Sequence, residues 1–449
     1  MVQDIFNYID QHADEYVERL RALCRQPSIA AQNVGMAETA DMVLKLLQDI
    51  GADARILPTA GFPFVYGEMT GRSPKTLAFY DHYDVQPPEP LELWRSEPFA
   101  AEIRDGRIWA RGVADNKGNL AARLCAVEAY KKVRGELPLH VKFIFEGEEE
   151  IGSPNLPPFA EVNAALLQAD GCIWEAGYKD GRGRPGIYLG VKGILYVELR
   201  ASGANTDVHS SNATIVPNPV WRLVWALSTL KDHDERILIP GFYDPVREPT
   251  AEEIAALERM DYDEAGELEL LGLDRFLGGL SGIPLLVKHI FQPTCNVCGI
   301  SGGYAGPGSK TVLPNCAFAK LDFRLVPDQE PDQVLRQLRA HLDAQGFADI
   351  EIEVLGPEHP ARTPMDDPLV GAVVDTAREI YGVEPVVYPL TPGTGPMYDL
   401  CQKFGIPAVS TGVGNAESNT HAPNENIIIA DYIQGIQHIA LIMERFASL

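Results

Sequence analysis

The sequence predicts an α/β domain built on a central, mostly parallel sheet and interrupted by a smaller inserted α+β domain. Three observations predict it. Short apolar runs at residues 77–80, 139–145, 171–174 and 407–410 are separated by helical stretches such as 120–133, as in strands buried on both faces and joined by helices. From about residue 191 the texture changes to strands of alternating polarity, and after residue 356 the α/β pattern resumes. The 449 residues also exceed one ordinary domain, for which roughly 100–200 is usual.

Taken in order, Ile5, Phe6, Ile9, Tyr16, Val17, Leu20 and Leu23 recur at helical spacing, and residues 36–50 repeat the pattern, so amphipathic helices open the chain. Apolar strands and helices follow to residue 190. In the insertion, GILYVELRAS and AFAKLDFRLVP alternate as half-exposed strands, while residues 220–230 and QVLRQLRAHLDAQ read as helices. An acidic stretch at 232–274 has no derivable function. Residues 1–190 and 357–449 thus form one domain, closed by a helix at about 430–446, and residues 191–356 form the insertion. There is no internal repeat.

A net charge of −25, with no Lys/Arg stripe, argues against nucleic acid as a partner. No run of about 18 apolar residues and no secretory leader is present, so the chain is expected off the membrane, in the cytoplasm. Asn212-Ala-Thr214 is then an unused glycosylation acceptor. Seven scattered cysteines fit reduced thiols rather than a disulfide framework, and the lone pair Cys295 and Cys298 fits packing better than a zinc site. SGGYAGPGSKTVLP resembles a phosphate loop only superficially: Ser309 separates Gly308 from Lys310 and no strand-to-helix context follows.

The chemistry-bearing residues cluster at strand ends. In LAFYDHYDVQPP an apolar strand runs into His82 and Asp84, which project to one face as i and i+2. A histidine there packs more often than it ligates. In GRIWARGVADNKG, Asp115 precedes a helix, where a cap is the simpler role. The strand HVKFIF delivers Glu148, Glu149 and Glu150 in EGEEEIGS, GCIWEAG places Glu175 after another strand, and SNTHAPNENI holds His421 before the last helix. Adjacent carboxylates fed by a buried strand are costly unless cations neutralise them. Two histidines and three carboxylates, one shared, can hold two divalent ions, with zinc the first choice and manganese or cobalt alternatives. One further carboxylate is needed as a base for water.

At DHYDVQPP, ARGVADNKG, EGEEEIGS and NTHAPNE the chain resembles the M20 metallopeptidases, which include carnosinase-type dipeptidases, glutamate carboxypeptidase, aminoacylase and succinyl-diaminopimelate desuccinylase. The resemblance implies a zinc-exopeptidase-like catalytic domain and an inserted lid that forms a homodimer. It implies that His82, Asp115 and Glu175 hold one metal and Asp115, Glu150 and His421 the other, with Asp115 bridging. Glu149 would be the general base, Asp84 would orient His82, Glu148 stays outside the set, and the Asp115–Asn116 peptide would be cis. In the lid, His209 of NTDVHSS would reach a partner's site and polarise the scissile carbonyl, and Arg324 of LDFRLVP would bind a substrate carboxylate. PLTPGTGPM departs from the dipeptidase pattern, with Leu390 or Thr391 in place of an arginine, leaving Gly393 and Thr394 to bind substrate. Glu175 departs as well, being aspartate in dipeptidases and glutamate in the carboxypeptidases and acylases. The expected activity is hydrolysis of a dipeptide or short peptide, with an N-acyl-amino-acid deacylase as the alternative and a non-catalytic binding module on the same fold as a third reading.

Overall fold

The strand Gly71–His82 is the spine of an eight-stranded sheet, because its last six residues are buried and it pairs on both sides. In this computed structural model residues 2–260 and 262–449 are described; Met1, and Asp261 of the acidic stretch, lie outside the described residues. Across the sheet the order is Asp53–Leu57, Phe64–Met69, Leu137–Glu146, Gly71–His82, Gly171–Trp174, Ala408–Ser410, Gly186–Tyr188 and Val386–Tyr388. The four strands from Leu137–Glu146 to Ala408–Ser410 run parallel, and antiparallel pairings lie towards the edges. Parallel strands end at the same side of a sheet, so the turns after residues 82, 146, 174 and 410 share one edge, where sites of open α/β sheets form.

Burial of the apolar runs holds this unit together. Phe79, Val141, Phe143, Phe145 and Ile173 are fully buried, each side chain contributing roughly 1.5–3 kcal/mol. The helix Lys117–Arg134 is rich in alanine and leucine, ends at Gly135 in the left-handed region, and carries Lys131, Lys132 and Arg134 against its negative end. Ahead of it the first amphipathic stretch is two helices, Gln3–Gln11 and Ala13–Arg25, rather than one. The break lies at His12, whose ring stacks on Tyr8 and whose Nδ1 is 2.8 Å from the Tyr8 carbonyl.

The second unit is Val191–Ala361 with Leu390–Gly395; the first is Met1–Gly190, Arg362–Pro389 and Pro396–Leu449. The insertion therefore runs past residue 356, because the strand Glu351–Glu358 pairs with Gly193–Ser202 as far as Glu358. The segment Leu390–Gly395 joins it with Leu390 wholly buried against Leu257, Leu286, Ile290 and Phe291. Its sheet runs Asn296–Gly302, Cys316–Leu325, Gly193–Ser202, Glu351–Glu358, all antiparallel. Two of these strands carried no legible alternation: Asn296–Gly302 is exposed throughout, and Glu351–Glu358 mixes exposed with half-buried residues and has no fully buried one. Besides Pro219–Leu227 and Pro331–Ala344, the helices Ala251–Arg259, Glu264–Leu271 and Gly282–Phe291 lie in and just after the acidic stretch. Cys298 is exposed on its edge strand and donates to Asp322, so it is not a packing residue.

In the first unit the closing helix Ile429–Ala447 buries His438 against Pro368–Tyr381, with Nε2 3.1 Å from Thr376 Oγ1 and 3.3 Å from the Val373 carbonyl. Burial pushes its pKa down to about 4. A histidine depressed below its ordinary value stabilises the fold fully above pH ~6.5, and that contribution is lost as pH falls towards 4. In chelator-treated protein, the unfolding free energy measured in urea is expected to drop from this group by up to roughly 1.4 kcal/mol per pH unit across that window. His438→Gln should flatten that part of the profile; an identical profile would place the loss elsewhere.

Candidate metal centre

His82 ends its strand with the ring 1% exposed, and the fully buried Asp84 fixes it from behind. His82 Nδ1 lies 3.0 Å from the Asp84 carbonyl and 3.4 Å from its Oδ1, which turns Nε2 towards the site. The same carboxylate accepts the backbone N–H of Glu149 at 3.3 Å and of Glu150 at 3.0 Å. One buried aspartate thus ties together two neighbouring strand ends. Glu149–Ile151 is a single 3-10 turn that stops at Gly152, whose φ of 85° suits glycine. Gln86 donates to Glu150 Oε2 at 2.8 Å and holds that side chain in place. Glu148 faces the other way and accepts from Asn155, so it stays outside the set.

Asp115 stands at a cis peptide with Asn116, in the loop that opens the helix Lys117–Arg134. Its Oδ1 is 3.0 Å from His82 Nε2 and its Oδ2 is 3.1 Å from His421 Nε2, so its two oxygens face the two imidazoles. His421 Nε2 is also 3.2 Å from Glu150 Oε2, and Glu149 Oε2 stands 4.0 Å from His82 Nε2. Glu175 follows its strand with φ of 32°, and its backbone carbonyl accepts from the buried Arg123 guanidinium.

Charge crowding dominates the electrostatics. Burial pushes Glu149 up to about 8; the His82 charge opposes the shift, while Asp115, Glu150 and Asp84 reinforce it. Burial, then the charge of Glu149, hold Glu175 well above the carboxylate range, against the pull of His82. Burial acts against the charged form of His82 and of Asp115 alike. Hydrogen bonds reverse it: those to Asp115 and Asp84 raise His82 well above its ordinary value, and those from His421 and His82 hold Asp115 below its own. Hydrogen bonds to Asp115 and Glu150 raise His421 to about 10.

The residues fit divalent cations. His82, Asp115 and Glu150 each offer a ligand atom within 4.8 Å of the others, and His421 touches two of the three. Glu150 Oε1 and Glu175 Oε1 are buried acceptors without a hydrogen-bond partner, a costly state that a cation relieves. Imidazole and carboxylate donors without sulfur match a catalytic rather than a closed structural site.

The other expected site residues lie in the second unit. His209 is exposed on the short strand Val208–His209, with Nδ1 2.9 Å from Ser211 Oγ. Arg324, on Cys316–Leu325, donates to the Thr394 hydroxyl, and the Gly393 carbonyl accepts from the Lys192 N–H at 2.8 Å.

Sequence reasoning missed Glu425. Its buried carboxylate accepts from Arg111 at 2.7 Å and from the N–H groups of Gly112, Ala114 and Asp115 at 2.8, 2.8 and 3.0 Å, clamping the loop that carries Asp115. Arg111 precedes Asp115 by four positions and Glu425 follows His421 by four, so each lies inside a motif already singled out. Nothing local couples them.

Residues 78–445 match the family described as Peptidase family M20/M25/M40. The mouse protein named Beta-Ala-His dipeptidase is 29% identical, covering 97% of this chain and 93% of its own. The Cys-Gly metallodipeptidase dug1 of Schizosaccharomyces pombe is 31% identical over 75% of each. The crystal structure of an M20 family metallo-carboxypeptidase, Sso-CP2 from Sulfolobus solfataricus, superposes with a TM-score of 0.90 at 44% identity, covering 97% of this chain and all of that one.

Glu425→Gln is expected to weaken metal affinity ten- to hundredfold, the usual effect of removing a group that orients a ligand. Competition against a chelator of known affinity measures it. Parent-like affinity would mean that Asp115 is held by something else.

Proposed function

This chain belongs to peptidase family M20/M25/M40, and on that premise we propose that it hydrolyses the amide bond of a dipeptide or short peptide. The carrying observation is the unshared carboxylate of Glu149 beside a cluster of two imidazoles and three further acids. Two relatives named as dipeptidases and one named as a carboxypeptidase support an exopeptidase reading. His82, Asp115 and Glu175 would hold one divalent ion and Asp115, Glu150 and His421 the second; bound there, the ions would supply Lewis-acid polarisation and a water of lowered pKa. The nitrogen and oxygen donors favour zinc, ahead of manganese or cobalt.

Glu149 takes the proton of the attacking water on its carboxylate and returns it to the leaving amine. Asp84 keeps the His82 ring in the tautomer that presents Nε2, and Glu425 keeps Asp115 between the two histidines. Arg324, with its guanidinium held by Thr394, binds the substrate carboxylate, and Gly393 shapes the adjoining backbone. His209 of the partner subunit polarises the scissile carbonyl; its exposure leaves it free to do so. An N-acyl-amino-acid deacylase is the second reading, favoured by Glu175 standing where the resemblance to dipeptidases has aspartate.

The homodimer forms through the second unit. The edge strand Asn296–Gly302 is exposed along its whole length, and Trp221 and Trp225 stack on the helix Pro219–Leu227 at 57% and 55% exposure. An open strand edge and a large apolar patch both call for a cover. The cytoplasm suits seven free cysteines, and no helix among the described residues is long and apolar enough to cross a membrane.

Glu149→Gln is expected to keep its metal, by elemental analysis, and to lose about 10²–10⁴ in kcat on dipeptides. Near-parent turnover would remove Glu149 from the mechanism. Should a mixed panel show turnover of N-acyl amino acids alone, the deacylase reading replaces the peptidase. Trp225→Asp is expected to sediment as a monomer where the parent is a dimer; a dimeric variant would move the interface away from this helix.

A further inference from the structure

The second unit contains a pocket of about 340 Å³, within the usual range of small-molecule sites (roughly 300–1,000 Å³). Its apolar wall is Phe276, Leu277, Leu280 and Leu285, and Leu277 is 58% exposed, so the pocket opens to water. Lys192 lines it too, although the residue as a whole is only 2% exposed. Its Nζ donates to the carbonyls of His289 at 2.8 Å and Gln292 at 2.7 Å, at the C-terminal end of the helix Gly282–Phe291. Among the described residues these are its two acceptors, and neither is a carboxylate.

An ammonium carries three N–H bonds, whereas a neutral amine carries two and a lone pair. Two carbonyls therefore satisfy the neutral amine and leave the ammonium one protein acceptor short. Lys117 and Lys142 also donate to two carbonyls each, but acids stand near both. The charged neighbour of Lys192 is instead the cation of Arg324; burial, then that charge, push the Lys192 ammonium down to about 8. Roughly a tenth of it is then uncharged at about pH 7, against less than about a thousandth of an ordinary lysine. A buried amine with a free lone pair is the form in which lysine attacks carbonyl compounds.

We propose that Lys192 is a modification site, where the amine condenses reversibly with an aldehyde that carries an anionic group on an apolar body. Its nitrogen adds to the carbonyl carbon, a proton passes from nitrogen to oxygen, and the carbinolamine loses water. The products are an imine and water, so nothing is oxidised or reduced. Phe276, Leu277, Leu280 and Leu285 cover the apolar body. Lys288, exposed on the same helix, attracts the anion, and no lining residue among those described is acidic; Asp322, 3.8 Å from Arg324 Nε, does not line the pocket. An imine nitrogen keeps at most one N–H, so the modification also frees a carbonyl at the helix end. No candidate metal ligand takes part, and the site stands apart from the peptidase reading.

The test incubates the metal-loaded protein with para-formylbenzoate or its uncharged analogue para-formylbenzamide, traps imines with cyanoborohydride, and locates labelled lysines by peptide mass spectrometry. At about pH 7 the formylbenzoate should label Lys192 at least about tenfold faster than the exposed Lys45 and Lys310, as the larger uncharged fraction requires. It should also label Lys192 at least about twofold faster than the formylbenzamide does, the scale of one exposed charge pair. Lys288→Gln, a change at an exposed side chain, should melt like the parent and lose that second preference. Labelling of Lys192 no faster than that of Lys45 overturns the modification site, and equal labelling by the two aldehydes overturns the anionic ligand. Peptide cleavage is not the readout, so neither result bears on the peptidase reading.

Discussion

Mutual repulsion among Asp84, Asp115, Glu149, Glu150 and Glu175 at one edge of a parallel sheet is the constraint around which the first unit is arranged. Burial drives Glu149 and Glu175 towards protonation, holding both above the ordinary carboxylate range. Two imidazoles compensate part of the charge, and two acceptor oxygens still have no hydrogen-bond partner. The arrangement is a candidate cation site whose side chains are oriented in advance by the chain.

Orientation comes from acids that are themselves satisfied. Asp84 and Glu425 spend their oxygens on backbone N–H groups and, for Glu425, on Arg111, so they act on the ligands through the main chain. Arg123 does the same from the other side, pairing with Asp81 and holding the carbonyl of Glu175. Buried ion pairs of this kind add little net stability compared with apolar packing. Here they set geometry, and geometry is what metal ligation needs.

The second unit solves a different problem with weaker signals. One of the two edge strands of its sheet, Asn296–Gly302, is exposed along its length, and the helix Pro219–Leu227 carries two stacked tryptophans. Its pocket gathers Arg324, Lys192 and Lys288 from distant stretches of an otherwise acidic chain. The exposed strand and tryptophans thus lie in the unit without the candidate metal ligands, which stand in the unit with the larger sheet.

The main strands of the larger sheet and the candidate site residues at their ends were legible because runs of buried residues, and the polar residues that stop them, are local signals. His82, Asp115, Glu150 and His421 lie within a few ångströms of one another. The helix break at His12, the two exposed strands of the second unit and the extension to Ala361 were not legible, since each follows from hydrogen bonds or pairings that leave no periodic trace. By itself the sequence determined that imidazoles and carboxylates stand at or just after the ends of these strands. Only the tertiary structure decided what holds them: Glu425 reaches Asp115 across 310 positions, and Asp84 reaches Glu150 across 66. Periodicity reports whether a side chain is buried, whereas its partner depends on the path the chain takes between them.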